Sequence, residues 1–317
     1  MNYSIEITGG IGKHIMATSF IKWLNEKFPK SKLIVFSAYP EMFEYNPRIW
    51  RNLRLGQSYS FEDYIKGTDF RKGEPYALYD YYKEKDKMHL MRLWPKAYGF
   101  GKEDENPVAE IYLTKGEEMD GQMFCKQHFP LVTFQGFGGL PPGMAPGKNK
   151  VDSSQRDLNF QISQKIVNIL VSNGLKVLQI RGQSEPIMQN TIQLNLPFRN
   201  ILPIMKHSIA HVGIDSVGMH GAAVFKKPML IFWGQTHVDN LGYTYEGVTN
   251  LWRKGGMHCR PHIQLVDNQG AFPYKDKFEG FEFDYSDGEL QQHLNKFLGS
   301  LKKEKPNAKQ NNSKKEK

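Results

Sequence analysis

The sequence predicts an α/β protein of two domains, each built around a parallel β-sheet, that face each other across a cleft. Three observations lead to this prediction. With 317 residues the chain is long enough for two domains. A short apolar run that ends in a glycine loop occurs twice, at residues 3–12 and again at 131–139. Strand, glycine turn, helix and buried strand, in that order, are typical of a parallel sheet.

The first half opens with a predicted strand at residues 3–8, followed by a glycine turn and a helix that Pro29 ends. The helix is indicated by apolar residues that share one face, namely Met16, Phe20, Trp23, Leu24 and Phe28. A continuous apolar run at 33–36 predicts a second strand. Periodicity is weak over residues 39–100, where we expect loops and helices around the first sheet.

The second half repeats the pattern from a strand at 131–134. A long loop rich in proline and glycine follows at 140–157, and its length favours a functional role. The next helix stops at Asn173-Gly174. Further strands are predicted at 176–180, 210–214 and 228–233, and helices at 201–207 and 216–225. We divide the chain into an acceptor-side domain at 1–125, a nucleotide-sugar-binding domain at 126–300 and a disordered basic tail at 301–317.

Composition and charge exclude several classes of protein. Hydrophobic residues make up 39% of the chain, which excludes a mostly disordered protein. We expect no transmembrane helix and no secretory signal, and two cysteines suit a reducing cytosol. The formal net charge is +9, but residues 302–317 hold seven Lys and two Glu, which leaves +4 for the rest. The tail is either a solubilising end or a weak contact with a polyanion or an acidic membrane surface.

Two familiar nucleotide motifs fail at the first glycine turn. A dinucleotide fingerprint needs glycine where Ile15 stands, and a P-loop needs Ser or Thr where His14 stands. The backbone at Gly10 and Gly12 still allows close approach of a ligand, and the helix that follows favours an anion. The alternative is a tight turn that binds nothing.

Two further motifs also fail. Ser216 lies between a strand and a helix, but Ile214 stands where a hydrolase nucleophile elbow needs glycine. His258, Cys259 and His262 cluster without a second pair of ligands, so a loop packed against the cleft is favoured there over a metal site. The sequence therefore predicts no metal site.

Residues 210–236 are the most informative part of the chain. Asp215 and Ser216 would cap a helix at the carboxyl end of a strand, where a diphosphate binds in an open α/β sheet. The alternative is a capped helix without a ligand. The candidate contacts of this segment are Asp215, Ser216, Gly218, Met219, His220, Gly234 and Thr236.

This segment resembles the family 9 glycosyltransferases, the relatives of ADP-heptose:lipopolysaccharide heptosyltransferases. The resemblance lies in Asp-Ser-x-Gly-x-His-x-Ala-Ala at 215–223, then Lys227-Pro228, a strand and Gly234-Gln-Thr236, although Val217 stands at the family's usual glycine. Asn46-Pro47 and the segments 107–113 and 194–207 extend it over most of the chain.

The resemblance implies a GT-B fold and metal-independent, inverting transfer of a sugar. The donor would be a nucleotide-diphosphate sugar of the ADP-heptose type, held mainly by the second domain as a co-substrate, with no other cofactor. The acceptor would be a hydroxyl of a surface or lipid-linked glycan. The expected location is the cytoplasm, either free or in peripheral contact with the inner membrane.

The chain departs from the family at the first glycine turn, where Lys13 replaces the usual aspartate, the family's proposed base. A lysine is ordinarily protonated, so we assign Lys13 to anion contact. His14 becomes the candidate base, with simple packing at the helix start as the alternative.

Other candidates lie around the predicted cleft. Gln135 and Gly136 end a strand and are expected to face the cleft. The resemblance implies a basic residue before the next long helix, where Arg156 stands, and Arg181 ends the following strand. Either arginine suits a bidentate diphosphate contact, with a plain surface salt bridge as the alternative. An aromatic group is predicted to cover a sugar ring or simply to pack; its members are Tyr79, Tyr82, His89 and Trp94.

Two other functions stay open on sequence grounds. One is glycosyl transfer to a modified DNA base, and the other is an inactive protein that binds a nucleotide sugar. An epimerase is disfavoured by the broken dinucleotide fingerprint.

Overall fold

The computed structural model describes residues 1–56, 61–72, 89–138, 156–234, 238–252 and 285–303. Within these ranges it contains two sheets, in which every strand pairing is parallel. The predicted class of two parallel-sheet α/β units is therefore confirmed.

The first sheet has the strand order β3-β2-β1-β4 and the second the order β10-β9-β8-β5-β6-β7. The strands of the first are β1 (Asn2–Ile7), β2 (Leu33–Ser37), β3 (Arg51–Arg54) and β4 (Thr68–Lys72). The strands of the second are β5 (Leu131–Gln135), β6 (Lys176–Gln179), β7 (Ile192–Gln193), β8 (Ala210–Ile214), β9 (Met229–Phe232) and β10 (Val248–Leu251).

The helices cover both sheets and connect them. They are α1 (Ile11–Lys27), α2 (Phe61–Ile65), α3 (Leu90–Ala97), α4 (Lys115–Gln127), α5 (Phe160–Ser172), α6 (Phe198–His207), α7 (Val217–Val224), α8 (Val238–Leu241) and α9 (Asp287–Lys303), with a 3-10 helix at Pro40–Phe43. No helix in the described part of the chain is both long and apolar enough to cross a membrane.

The apolar runs read from the sequence form the central strands. β2, β5 and β8 are buried along their whole length, as expected of parallel strands with helices on both faces. The stop predicted for α5 is confirmed, because Gly174 adopts a φ of +80° just after it.

Several elements were not predicted from the sequence. Residues 39–100 contain β3 and β4, so the expectation of loops and helices alone is wrong there. Both are polar edge strands, which pair with β2 and β1 through the backbone. The strands β7 and β10 were also missed, and α9 includes the first three residues of the predicted tail. Residues 304–317 lie outside the described ranges.

The strand order of the second sheet places a switch of direction between β5 and β8. From β5 the chain proceeds outward through β6 to β7, and it then returns to the other side of β5 to form β8, β9 and β10. In open parallel sheets the carboxyl ends of the two strands at such a point border a crevice, and ligands bind there.

Helix α4 joins the two halves by packing on α6. The Cys125 thiol donates to the carbonyl of Ile204 at 3.3 Å, and Gly121 lies directly against Pro203. The predicted boundary at 125/126 assigns nearly all of α4 to the first domain, yet this helix packs on the second. The boundary itself stays a prediction.

Arg199 of α6 connects the second half to three segments before it. Its guanidinium donates to the Glu117 carboxylate at 2.8 and 3.0 Å, and to the carbonyls of Tyr112 at 2.6 Å and Glu41 at 3.1 Å. Glu117 also forms a capping box with Thr114 at the start of α4. Because Arg199 is only 4% exposed, these contacts compensate a buried charge.

We expect Gly121→Ala to destabilise the protein by roughly 1 to 3 kcal/mol, because the added Cβ would lie 2.5 Å from the Pro203 carbonyl oxygen. Gly116→Ala is the matched control in the same helix, since its Cβ would meet only Thr114 Oγ1 at 3.9 Å. The control should be neutral or stabilising by up to about 1 kcal/mol. Urea unfolding measures both, and equal stability of the two variants would contradict the close α4–α6 packing.

Candidate functional site

Residues from three parts of the second half meet at the carboxyl ends of β5 and β8. Gln135 ends β5, while Asp215 and Ser216 directly follow β8. Arg156 donates to the Asp215 carbonyl at 3.0 Å, and its Nη1 lies 3.7 Å from Asp215 Oδ2. A Cβ built on Gly138 would lie 3.5 Å from Arg156 Nη2 and 3.8 Å from Ser216 Oγ. The structure therefore brings these predicted residues together at the switch of strand direction.

The Gln135 carboxamide links β5 to the start of α7. Its Oε1 accepts the backbone N–H of Gly218 at 2.8 Å, a helix donor without an intrahelical partner. Its Nε2 donates to Ser216 Oγ and to the Phe137 carbonyl, both at 3.0 Å. Ser216 is the N-cap of α7, but its side chain makes no capping bond. Gln135 therefore caps this helix from a neighbouring strand.

His220, in the first turn of α7, is a buried neutral imidazole. Its Nδ1 lies 2.8 Å from the Tyr243 hydroxyl, and its Nε2 lies 3.8 Å from Asp215 Oδ1. Burial, and the charge of Arg156, lower the pKa of His220 to about 3. Burial also raises the pKa of Tyr243 well above its usual value, so the phenol keeps its proton. Tyr243 therefore donates to Nδ1, which places the imidazole hydrogen on Nε2.

The first half of the chain reaches this site through α1 and α3. A Cβ at Gly12 would lie 2.8 Å from His220 Cδ2, so the first turns of α1 and α7 touch. His89 caps α3 by accepting the Met91 N–H, and its ring lies 5.3 Å from that of Tyr243. Because helix amino termini carry partial positive charge, the meeting of α1 and α7 favours an anion nearby.

The aromatic group predicted around His89 does not stay together. Trp94 is 1% exposed and packs on Phe20 and Tyr98 in the core. For this residue the structure agrees with packing, the alternative to covering a sugar ring. Tyr79 and Tyr82 lie outside the described residues.

Lys13 and His14 occupy different environments at the first glycine turn. Gly9 has a φ of +92°, and the Lys13 side chain crosses it so closely that a Cβ there would lie 2.7 Å from Lys13 Cδ. His14 is fully buried, with Nδ1 3.0 Å from the Gly10 carbonyl and the ring edge-on to Tyr39. Burial lowers the pKa of His14 to about 4. These surroundings favour the packing alternative over the role of base.

The sequence offers Arg156 and Arg181 as equal candidates for the diphosphate contact, and their contacts in the structure distinguish them. Arg181 donates to Gln193 Oε1 at 2.9 Å and to carbonyls of the loop after β6, including those of Gly182 and Glu185. It therefore stabilises its own loop. Gly136 packs on α5, since a Cβ there would lie 2.6 Å from Ser163 Oγ.

The remaining candidates divide between the core and the part of the chain that is not described. Met219 is fully buried in the core, and Gly234 is buried just after β9. Thr236 lies outside the described residues, as do His258, Cys259 and His262.

Two residues of the site were missed by sequence reasoning. Tyr243 belongs to no motif, and only the fold brings it to His220. His211 lies beneath α7, with Nδ1 2.9 Å from Thr133 Oγ1. A Cβ on Gly213 or Gly218 would come within 3 Å of its ring, so the two glycines make room for the imidazole. The glycines near His211 were the signal that could have indicated it.

Comparison with known proteins identifies the fold. No family model and no curated protein matches the sequence. A family 9 glycosyl transferase from Veillonella parvula matches with a TM-score of 0.66 at 11% identity, over 94% of this chain and 97% of the other. The chain has the GT-B fold.

Two further solved structures share this GT-B arrangement. ADP-heptose lps heptosyltransferase II of E. coli matches with a TM-score of 0.58 at 11% identity, over 95% of this chain and all of the other. The iron-containing heptosyltransferase TibC, in complex with ADP-D-beta-D-heptose, matches with a TM-score of 0.61 at 14% identity, over 96% and 78%. At this identity the likeness is one of fold.

We expect the stability of this GT-B protein to fall as the pH falls below 6.5. Burial lowers the pKa most strongly for four histidines, to about 4 for His14 and His89 and to about 3 for His211 and His220. The unfolded chain therefore binds more protons than the folded chain between these values and 6.5. From pH 7 to pH 5 the loss should be roughly 1 to 2 kcal/mol for each histidine.

Urea unfolding at pH 7.5, 6 and 5 tests this expectation. His211→Asn should lose stability at every pH but depend less steeply on pH, by about one proton. Stability that stays constant from pH 7.5 to pH 5 would contradict the neutral burial of these rings.

Proposed function

We propose that the protein is a glycosyltransferase that moves a sugar from a nucleoside-diphosphate donor to a hydroxyl of a surface or lipid-linked glycan. The observation that carries the proposal is the meeting of Arg156, Ser216 and the start of α7 at the switch of strand direction in a GT-B fold. A donor of the ADP-heptose type is supported by the likeness to TibC, whose structure contains ADP-D-beta-D-heptose.

In the proposed reaction the acceptor oxygen attacks the anomeric carbon, and the bond from that carbon to the diphosphate breaks. The acceptor proton passes to a base, and the nucleoside diphosphate leaves with the bonding electrons. Attack opposite the leaving group inverts the anomeric carbon. We assign stabilisation of the departing diphosphate to the Arg156 guanidinium, the Ser216 hydroxyl and the start of α7, without a divalent ion. Lys13 is the proposed anion contact from the first half.

A second candidate function is binding of a nucleotide sugar without transfer. The burial of His14 supports this candidate, because a base must reach the acceptor hydroxyl to take its proton. In the transferase proposal His14 stays the assigned base, and a change of position would be needed to expose its ring. Release of ADP from ADP-heptose in the presence of a glycan acceptor distinguishes the two functions, because a protein that only binds the nucleotide sugar releases none.

The proposed partners follow from the same assignment. They are a nucleotide sugar and a glycan or lipid-linked acceptor in the cytoplasm. The lysine-rich residues 302–317 are proposed as a weak contact with a polyanion or with the inner membrane surface. The same tail would permit a DNA acceptor, which is less favoured because the rest of the chain has a net charge of only +4.

Thermal unfolding in the presence of ADP, UDP, GDP, CDP, NAD and short DNA, each with and without EDTA, tests the proposed donor. A ligand at a hundred times its dissociation constant should stabilise the protein by about 2.7 kcal/mol. We expect a shift with one nucleoside diphosphate, unchanged by EDTA. A shift with NAD alone or with DNA alone would overturn the transferase proposal.

Arg156→Gln should weaken binding of that nucleoside diphosphate about tenfold or more, because it removes a charged donor from the proposed phosphate site. Arg181→Gln is the matched control and should leave affinity unchanged, since Arg181 donates to its own loop. Calorimetric titration of both variants makes the comparison. An equal loss of affinity in the two variants would contradict the assignment of the phosphate contact to Arg156.

A further inference from the structure

We propose that Gln135 is a positioning residue that turns the Ser216 hydroxyl into a hydrogen-bond donor for a phosphate oxygen held above Gly138. The inference rests on the proposed function and deepens it. It assigns Gln135 no contact with the donor, and it names the place of one phosphate group.

The orientation of the Gln135 carboxamide is fixed by its backbone partners. The Gly218 N–H is able only to donate, so the atom that it meets at 2.8 Å is the oxygen. The Phe137 carbonyl is able only to accept, so the atom 3.0 Å from it is the nitrogen. A flipped carboxamide would set two donors against each other and two acceptors against each other.

This orientation determines what the Ser216 hydroxyl does. The amide nitrogen has two hydrogens, and Ser216 Oγ takes the one that Phe137 does not use. Ser216 Oγ is therefore an acceptor toward Gln135, and its own hydrogen remains to be donated. Across the described residues no group accepts that hydrogen from Ser216, which is only 8% exposed. A buried hydroxyl of this kind favours a ligand atom that accepts.

The position of that ligand atom follows from Gly138. The place of a Cβ on Gly138 lies 3.5 Å from Arg156 Nη2 and 3.8 Å from Ser216 Oγ, and its nearest atom is Asp157 Oδ1 at 3.4 Å, so two donors and one carboxylate oxygen border one small space. The nearby Asp157 carboxylate accepts the Gly138 N–H at 2.5 Å. An anionic oxygen fits between a guanidinium and a hydroxyl donor, as a phosphate oxygen would. A methyl group at position 138 would occupy this space.

Calorimetric titration of the full chain with inorganic pyrophosphate and with ADP tests the inference. Ser216→Ala and Gly138→Ala should each weaken pyrophosphate binding about tenfold or more, by loss of the donor and by filling of the space. Gln135→Met should weaken it similarly. In the Ser216→Ala background Gln135→Met should have little further effect, because Gln135 acts through Ser216.

Gln179→Met is the matched control for a purely structural role. Gln179 also ends a strand of the second sheet, is equally buried at 3% exposed, and bonds the backbone at Met188 and Pro186. Both Met variants should lower the melting temperature, whereas only Gln135→Met should weaken pyrophosphate binding. Equal effects on binding, or additive effects of Gln135→Met and Ser216→Ala, would overturn the positioning role.

Gly138→Ala keeps the inference testable if Gln135→Met does not fold, because its Cβ makes no contact under 3.4 Å. Unchanged pyrophosphate affinity in Gly138→Ala would overturn the assigned phosphate position, as would a wild-type protein that binds no pyrophosphate. Pyrophosphate binding that Gly138→Ala weakens, without binding of any nucleoside diphosphate, would overturn the proposed donor and support this inference.

Discussion

The buried guanidinium of Arg199 fixes one sheet relative to the other. It donates to a carboxylate of α4 and to carbonyl oxygens of the connecting segment and of the 3-10 helix of the first half. Loss of any of these acceptors would leave part of a buried charge without compensation, which is costly. The contact of Gly12 with His220 exists only while the halves keep this arrangement, and so does that of His89 with Tyr243. The geometry of the candidate site thus depends on an ion pair on α6, outside the site itself.

The burial of a strand explains whether it could be predicted from the sequence. The strands β2, β5 and β8 lie inside their sheets and need apolar side chains on both faces, so each appears as a continuous apolar run. β3 and β4 lie at the edges of the first sheet, and their residues, Arg-Asn-Leu-Arg and Thr-Asp-Phe-Arg-Lys, are polar enough to resemble a loop. Their pairing comes from backbone hydrogen bonds to a neighbouring strand, for which a single sequence contains no signal.

The same limit applies to the site. Asp215 and Ser216 were predicted from local chemistry and Arg156 from the family resemblance, and the fold brings them together. The capping role of Gln135 required the knowledge that β5 and β8 are neighbours, although 83 positions separate Gln135 from Gly218. Arg156 and Arg181 have equal chemistry, and only their contacts distinguish them. The intrinsic pKa of a histidine suits a general base, but burial lowers the pKa of His14. That burial comes from Tyr39 and Phe43, which pack against the ring and are distant from His14 in sequence.

The reactivity of the Cys125 thiol depends on the packing of α4 against α6. It is 6% exposed, and burial raises its pKa to about 11, so almost no reactive thiolate forms near neutral pH while the helices stay packed. Alkylation at this cysteine therefore requires the helices to separate. Its rate, followed by mass spectrometry of the peptide that contains Cys125, measures how often they part. The alkylation rate of Cys125 thus reports how often the α4–α6 junction opens.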